Sequence, residues 1–232
     1  MKREYTALLM KSKLFQSIES INIDQLVMCI NASVVEYKKG DIISVEGTYL
    51  EGIGIVLKGL VNIGKTSVTG NRIVIGTVGP VELFGETAAF TKAREWPASA
   101  EASEDSVVMF IDPGGITGSC SLACEWHRTL QQNMLGILAN KALSLTQRIR
   151  YMAIKGLRAK VCTYLYNLHL EQKSDFVRLP LKKYELAQLF NVERPSLSRT
   201  MINLRDEGVI DFDGRTVKIC DYNKVARIID EQ

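Results

Sequence analysis

The hydrophobic pattern of the chain changes its period partway along, and this change constrains the fold more than any other feature. Between Val34 and Asp112, short apolar runs such as IGIVL, RIVIGTV and SVVMFI are separated by turn-forming residues. Glycines recur in this part at positions 40, 47, 59, 70, 79 and 85. Turns at intervals of about 6–12 residues are typical of an all-β roll or barrel. We therefore predict a β-roll here, with TGN at 69–71 as a hairpin turn between two strands.

A different pattern begins near Leu130, where apolar residues occupy the a and d positions of three heptads. These positions are Leu135, Leu138, Ala142, Leu145, Ile149 and Met152. A seam this narrow buries little surface against its own domain, but it suits the same helix of a second copy. We predict a dimerisation helix over residues 131–155, and the alternative is a long helix lying on the β-roll. Lys155-Gly156 would then form a hinge, because glycine is unfavourable inside a helix.

Residues 183–204, KYELAQLFNVERPSLSRTMINL, carry the pattern of a helix-turn-helix. Apolar residues form one face of a first helix, and Asn191 follows at the turn, where a positive φ is often needed. Pro195 fits the first turn of a second helix, where its missing N–H is not required. Leu197 and Met201 give this second helix an inner face. Its N-terminal end is left exposed and carries donors suited to the major groove of DNA.

The polar residues at this exposed end predict the contacts that read the DNA sequence. Arginine can bind both acceptors on a guanine edge, so Arg194 and Arg199 are the predicted base-contacting residues. Ser196 and Ser198 can contact either a base or a phosphate.

Four further cations are predicted to contact the phosphate backbone of the DNA. Lys182 and Lys183 precede the first helix of the motif and are placed for phosphate. The segment GVIDFDGRTVKI (208–219) reads as two short strands around an Asp-Gly turn, which would form a wing beside the helices. Arg215 and Lys218 on this wing could touch phosphate, and the alternative is that they are solvated surface charges.

The charge distribution agrees with an anionic partner for the last third of the chain. Residues 155–232 hold 14 Lys/Arg and 11 Asp/Glu, whereas residues 1–154 hold 15 of each, so the net charge of +3 lies after the predicted hinge. No uncharged run reaches the length of a bilayer, and the charged start of the chain is unlike a signal peptide. We therefore expect a cytoplasmic protein that does not associate with a membrane.

Enzymatic activity is not expected from this sequence. The motifs GxxxxGK[ST], GxSxG and HExxH are absent, and two histidines leave little for acid–base catalysis. The five cysteines form no CxxC pair and are expected to be free thiols in a reducing compartment.

In order along the chain, these features resemble the CRP/FNR family of bacterial transcription regulators. The specific segments are YKKGDIISVEG (37–47), FGE (84–86), NVERPSLSR (191–199) and LRDEGVID (204–211). The resemblance implies an α+β fold with a cyclic-nucleotide-binding-like jelly roll, a long dimerisation helix and a C-terminal winged helix-turn-helix. The domains would be a β-roll sensor with N-terminal helices (1–130), the dimerisation helix and hinge (131–155) and the DNA-binding domain (156–232).

The resemblance also implies partners for the chain. A homodimer would bind double-stranded DNA at an inverted-repeat promoter site and would contact RNA polymerase, with each recognition helix in one of two successive major grooves. The sequence departs from the family at the second recognition-helix position, where Pro195 replaces a frequent glutamate. Glutamate can accept from cytosine N4 and proline cannot, so we expect a different half-site.

The sensor loop departs from the family as well. Cyclic-nucleotide binders of the family carry an Arg-Ser-Ala run after FGE, in which the arginine and serine bind the phosphate and the FGE glutamate holds the ribose. Here the aligned run is Trp96-Pro97-Ala98, so the strongest phosphate contact is lost, and cyclic AMP or GMP is not expected as the effector. Arg94 is the nearby cation that could replace it. An unknown small-molecule effector is predicted instead, with these candidate residues: Gly85, Glu86, Thr87, Trp96, Ser99 and Thr146.

Three alternatives for the sensor remain open at this point. Cys120, Cys124 and His127 are spaced to share one helix face, which allows a redox or metal-responsive regulator, although zinc usually needs four ligands. His127 and His169 are the two candidates for a haem ligand. The β-roll could also bind nothing and only hold the dimer, or it could be a module that regulates a partner protein. Such a module would not need the helix-turn-helix.

Overall fold

The structure is a computed structural model that describes residues 3–66, 72–118 and 125–231. The chain divides into two compact units, Met1–Asn140 and Lys141–Gln232. The predicted hairpin turn at 69–71 and the cysteines Cys120 and Cys124 lie outside the described residues.

The first unit is built around antiparallel strands, as the alternation of apolar runs and turns predicts. The strands are β1 (Ser33–Tyr37), β2 (Ile42–Ser44), β3 (Ile53–Lys58), β4 (Val61–Thr66), β5 (Arg72–Val78), β6 (Leu83–Phe84), β7 (Ser99–Ala102) and β8 (Ser106–Ile111). Within the described residues they form two four-stranded sheets, with the orders β1-β8-β3-β6 and β2-β7-β4-β5. The β-roll prediction is therefore confirmed.

Strands β3 and β8 form the centre of the first sheet and are buried on both faces. The first five residues of β3 are all buried, which explains why it reads as an uninterrupted apolar run. Its partner β8 is also buried along most of its length, with Val56 opposite Val108 in the register. The core of this unit also takes in Leu9 and Ile23 from N-terminal helices α1 (Arg3–Leu9) and α2 (Ser20–Cys29).

Two short helices and the first part of one long helix complete this unit. The short ones are α3 (Glu86–Ala89) and α4 (Pro113–Thr117), and the long one is α5 (Glu125–Ala153). Helix α5 is described from Glu125, so it begins before the predicted start near Leu130. Its first turns pack into the core of the first unit through Leu130 and Met134, which are almost fully buried.

The second unit is mostly helical with a small sheet. Its helices are α6 (Leu157–Gln172), α7 (Lys183–Phe190), α8 (Arg194–Asp206) and α9 (Tyr222–Asp230). Strands β9 (Phe176–Arg178), β10 (Ile210–Asp213) and β11 (Thr216–Ile219) pair antiparallel in the order β10-β11-β9. The predicted α+β fold with a C-terminal winged helix-turn-helix is thus confirmed.

The backbone leaves the helical conformation between α5 and α6, at the predicted hinge. Helix α5 ends at Ala153 and α6 begins at Leu157, with Gly156 at φ 78° and ψ 140° between them. This φ is in the region that favours glycine, so a side chain at Gly156 would be strained. Among the described residues, no helix is long and apolar enough to span a membrane.

Candidate DNA-binding surface and effector pocket

The turn of the helix-turn-helix has the predicted left-handed residue. Asn191 ends α7 with φ 54° and ψ 52°, and the N–H of Val192 donates to the carbonyl of Ala187. Asparagine tolerates this conformation better than most residues, which explains its place here. Leu186 and Phe190 on the inner face of α7 are buried against the second helix of the motif.

The start of α7 is fixed by a carboxylate. The backbone N–H of Lys182 donates to the side chain of Glu185, in the geometry of a capping interaction. This hydrogen bond holds the pKa of the Glu185 carboxyl below its usual value.

Helix α8 presents one buried face and one exposed face, as the recognition helix of the motif requires. Leu197, Met201 and Leu204 are buried, and their spacing is that of a helix with one apolar side. Pro195 lies in the first turn of α8, as predicted. The predicted base-contacting residues lie on the other side: Arg194, Ser196 and Arg199 are exposed, and Ser198 is half-buried.

Two of the three arginines of α8, Arg194 and Arg199, keep their side chains free of the protein. Within the described part of the chain, neither Arg194 nor Arg199 makes an ion pair, a hydrogen bond or a ring contact through its guanidinium. A nearby arginine behaves differently: Arg158 of α6 binds the carboxylate of Glu207 with two hydrogen bonds, one of 2.6 Å. That pair fastens α6 to the end of α8, and it was not predicted from the sequence.

The wing forms as predicted, but one of its cations has an internal role. Gly214 at φ 55° turns the chain between β10 and β11. The guanidinium of Arg215 donates to the carbonyl of Leu179 at 2.9 and 3.1 Å and to the carbonyl of Pro180. Arg215 therefore holds the wing to the segment before α7, and its predicted phosphate contact would compete with these bonds.

The three predicted phosphate-binding lysines are exposed or half-exposed, and each lies over an aromatic ring. The distances from Nζ to the ring centroid are 4.7 Å for Lys183 and Phe212, 5.4 Å for Lys218 and Phe176, and 6.0 Å for Lys182 and Tyr184. A ring below an exposed ammonium orients the stem while leaving the charge at the surface.

The sensor loop keeps its backbone, and a tryptophan fills the space beside it. Gly85 precedes α3 with φ 82°, and a Cβ built on it would lie 2.7 Å from the indole of Trp96 and 3.2 Å from Leu50. Trp96 is only 7 % exposed and packs on Phe84 with 5.8 Å between ring centroids. The absence of a side chain at Gly85 therefore makes room for the indole of Trp96.

The other predicted effector residues differ in burial and in their hydrogen bonds. Glu86 is buried at 1 % exposure, whereas Thr87 is exposed. The hydroxyl of Ser99 accepts from the backbone N–H of Glu46 at 2.9 Å, in a shallow cleft that Trp96 does not line. Thr146 belongs to the second unit, where its hydroxyl donates to the carbonyl of Ala142 at 3.0 Å.

Arg94 does not replace the missing phosphate-binding arginine in this structure. Its guanidinium lies 3.6 Å from the Asp112 carboxylate and 5.1 Å from the centre of the Tyr49 ring. It also donates to the carbonyl of Glu51 at 3.3 Å. These contacts hold the cation at the rim of the roll, where it is paired already.

A larger cleft lies on another side of Trp96. It has a volume of about 460 Å³ and lies between β1, β2 and the segment of residues 48–52, with Trp96 and Phe110 in its wall. We call it the Trp96 cleft; neither Gly85 nor Glu86 lines it. Its residues come from separate parts of the sequence, and of the predicted effector residues only Trp96 is among them. They are Asn31, Ser33, Val35, Tyr37, Ile43, Ser44, Thr48, Tyr49, Glu51, Gly52, Trp96, Phe110 and Asp112.

The redox and metal alternatives gain no support from the described residues. Within the described ranges, no cluster of His, Cys, Asp and Glu has the geometry of a metal site. His127 is buried, and its Nε2 lies 2.6 Å from the carbonyl of Gly115, so it packs α5 onto its unit. Burial raises the pKa of the Cys162 thiol to about 11, which disfavours the reactive thiolate. His169, in the second unit, contacts the carbonyl of Ser174 at 2.9 Å.

The predicted dimerisation seam is largely on the surface of the single chain. Leu135, Leu145, Ile149 and Met152 are 55–68 % exposed, and Ala142 is exposed too. Leu138 differs, because it is half-buried and packs against the core of the first unit. An exposed apolar stripe of this length on one helix indicates a partner surface.

Known families match both units. Residues 34–119 match the family described as "Cyclic nucleotide-binding domain", and residues 159–228 match the "Crp-like helix-turn-helix domain". A curated relative in Mycobacterium tuberculosis, "CRP-like cAMP-activated global transcriptional regulator", is 21% identical and covers 95% of this chain and 97% of the relative. The "Anaerobic regulatory protein" of Bacillus subtilis is 23% identical over 88% of this chain and 82% of the relative.

A solved structure has the same fold as well. The catabolite activator protein of Thermus thermophilus superimposes with a TM-score of 0.53 at 22% identity, over 95% of this chain and 99% of that one. The curated relatives named here are regulators rather than enzymes, in agreement with the expectation that the chain is not an enzyme. One segment of the chain thus matches a cyclic nucleotide-binding domain and a later segment matches a Crp-like helix-turn-helix domain, in the order that the resemblance to the CRP/FNR family predicts.

Proposed function

We propose that this chain is a cytoplasmic transcription regulator that binds a two-fold-symmetric DNA site as a homodimer and responds to a small molecule in its β-roll. The observation that carries the proposal is the exposed end of α8. Arg194, Ser196 and Arg199 lie there on a helix whose opposite face is buried, and within the described residues both guanidinium groups are unpaired. Donors at the exposed N-terminal end of the second helix of this motif are placed to contact base edges in the major groove.

The division of labour on the DNA follows from which cations the protein already uses. Arg199 and Arg194 would contact base edges, with Ser196 and Ser198 beside them. Lys182, Lys183 and Lys218 would contact phosphate and so set the position of the helix in the groove. Arg215 contributes to the wing by holding it in place, and any phosphate contact from it is secondary.

The dimer is proposed from the exposed seam on α5. Leu145, Ile149 and Met152 lie on the side of the helix that Leu135 and Ala142 also occupy, and their exposure leaves an apolar stripe without cover in the single chain. The same stripe on a second copy would cover it by coiled-coil packing. Two copies would place two recognition helices on the two halves of an inverted repeat. RNA polymerase would be a further partner of the DNA-bound dimer.

The effector is proposed to be different from cyclic AMP, although two relatives are named for it. These are the Mycobacterium tuberculosis regulator and the "Cyclic AMP receptor protein" of Thermus thermophilus, which is 25% identical. In this chain the indole of Trp96 packs against Gly85, and Arg94 is paired with Asp112. A cyclic phosphate at the loop would meet an apolar ring and would find no free guanidinium beside it.

Selection of random duplex DNA by the purified full-length protein tests this proposal. We expect an enriched inverted repeat whose half-sites are about one helical turn apart. Ile149→Lys in the seam should abolish selection of the repeat while leaving the chain folded by circular dichroism, because a buried lysine disfavours the dimer. Gln147→Lys, which also adds one charge to α5 but at an exposed position outside the seam, is the matched control. If no palindrome is enriched, with or without cell extract, the proposed function is wrong.

A further inference from the structure

The Trp96 cleft has the size of a site for a small organic molecule. Its volume of about 460 Å³ lies within the range of ligand pockets, which is about 300–1,000 Å³. Its position is fixed by backbone hydrogen bonds: the N–H of Trp96 donates to the carbonyl of Thr48, and the N–H of Gly47 donates to the carbonyl of Trp96, both at 2.9 Å. The cleft wall is therefore part of the rigid roll.

Four aromatic side chains line the cleft. Trp96, Tyr37, Tyr49 and Phe110 come from four separate segments of the chain. Rings bind other rings in offset or edge-to-face arrangements, which makes a flat aromatic group the favoured occupant.

One polar atom in the wall of the cleft is buried and lacks a hydrogen-bond partner among the described residues. Ser44 is 7 % exposed and lines the cleft, and its hydroxyl has no hydrogen-bond partner in the described part of the protein. A buried hydroxyl without a partner costs free energy that a ligand group can recover. The occupant is thus expected to carry a polar group that reaches Ser44.

The charges around the cleft determine which ligand charge is favoured there. Glu51 and Asp112 line it, and among its described lining residues there is no lysine or arginine. Arg94 at the rim offsets Asp112, at 3.6 Å, whereas the Glu51 carboxylate has no ion pair within the described residues. An anion would meet uncompensated negative charge here, and a cationic or neutral donor would be attracted.

We infer that the β-roll binds an aromatic amine or a similar aromatic donor in the Trp96 cleft, and not an anion at the Gly85–Glu86 loop. The inference rests on the proposed function of the roll as the effector domain and adds the site and the chemical class of the ligand. Ring stacking on Trp96 and Phe110, a hydrogen bond with Ser44 and attraction to Glu51 are the three interactions that it requires.

Calorimetric titration of the full-length protein with a matched pair of probes tests the inference. Tryptamine and indole-3-acetate share one ring system and carry opposite charges. We expect tryptamine to bind and indole-3-acetate to bind at least about tenfold more weakly, because only the amine is attracted to Glu51. Cyclic AMP should compete with neither.

Three variants assign the binding to the named residues. Glu51→Gln should remove most of the preference for the amine, and Ser44→Ala should weaken the binding of both probes. Glu104→Gln is the control. It removes an exposed carboxylate of the same unit that does not line the cleft, and it should leave the binding of both probes unchanged.

Two outcomes overturn the inference. One is equal or absent binding of the two probes, and the other is an unchanged preference in Glu51→Gln. The DNA selection above is run on the same preparation, without the probes. An enriched inverted repeat together with either outcome would reject the ligand class while leaving the proposed function intact, whereas loss of the repeat would reject the proposed function itself.

Discussion

The sensor loop at residues 84–102 and the recognition helix α8 both carry arginine near an exposed edge, yet the protein uses them in opposite ways. Arg94 is held by Asp112, the Tyr49 ring and the carbonyl of Glu51. Arg199 has no such partner among the described residues and points away from a buried helix face. A cation that the protein has already paired contributes little to a new ligand, whereas an unpaired one can give its full hydrogen-bonding capacity to a partner.

The same contrast appears in the backbone of the two regions. Asn191 adopts the left-handed conformation in the turn of the helix-turn-helix, where asparagine is tolerated. Near the sensor loop, Val81 adopts it at φ 66°, which is unusual for a β-branched residue. Gly85 adopts it at no such cost. The turn of the helix-turn-helix thus uses a residue that suits its geometry, whereas Val81 near the sensor loop is a residue that does not.

The largest expected effect tests how tightly the sensor loop is filled. Gly85→Ala should destabilise the protein by about 2–4 kcal/mol, because it adds left-handed strain and a methyl group 2.7 Å from the Trp96 ring. In a Trp96→Ala background the same change should cost about 1–2 kcal/mol, since only the strain remains. Urea denaturation of the four proteins measures the coupling. Additive costs would show that the indole does not contact Gly85.

The two arginines provide the next test. Arg199→Ala should reduce the discrimination between specific and non-specific DNA by about 1–3 kcal/mol, because a bidentate contact to a base is lost. Arg94→Ala should leave this discrimination unchanged, since its guanidinium is bound within the first unit. Fluorescence anisotropy compares the affinity of the two variants for a duplex that carries the selected site and for a scrambled duplex. An equal loss on both duplexes would assign Arg199 to the DNA backbone instead.

A smaller effect should come from the strained valine. Val81→Gly should stabilise the protein by about 1 kcal/mol, because relief of the left-handed strain outweighs the greater freedom of glycine in the unfolded chain. Val74→Gly is the matched control: Val74 lies in β5, outside the residues with positive φ, and its change should destabilise. Thermal unfolding of both variants measures whether each change raises or lowers the stability of the protein. A destabilised Val81→Gly variant would mean that the side chain contributes more than its strain costs.

The smallest effect concerns the ion pair that fastens α6 to α8. The Arg158 guanidinium, through its hydrogen bonds, holds the pKa of Glu207 below its usual value. A lowered pKa in the folded state adds stability that is fully present above the unfolded pKa of about 4.3 and is lost as the pH falls through the folded pKa. Glu207→Gln should therefore reduce the loss of stability at acid pH. The effect should be small, because the pair is exposed to solvent.

The control for this last test is Glu193→Gln, which removes an exposed carboxylate at the start of α8 that makes no capping hydrogen bond. Its stability between pH 3 and pH 6 should follow that of the unchanged protein. Identical profiles for both variants would show that the Arg158–Glu207 pair adds no stability.

Much of the fold was predictable because local patterns encode it. The change of hydrophobic period separates strands from helices, and Asn191 and Pro195 mark the turn and the start of α8 through their own backbone preferences. The wing follows from Asp213-Gly214 in the same way. Contacts between residues far apart in the sequence could not be predicted in this way. Arg215 looks like any surface cation in the sequence, and only the folded chain brings the carbonyl of Leu179 within 2.9 Å of it.

The sequence by itself determined the α+β architecture and the helix-turn-helix, because each depends on neighbours within a few residues. The tertiary structure decided what surrounds the sensor loop. Trp96 fills the space over Gly85, Arg94 turns to Asp112, and Ser44 and Glu51 meet in a cleft with rings from distant strands. Such a site depends on sheet pairing and side-chain packing across the whole unit, and no short stretch of sequence specifies either.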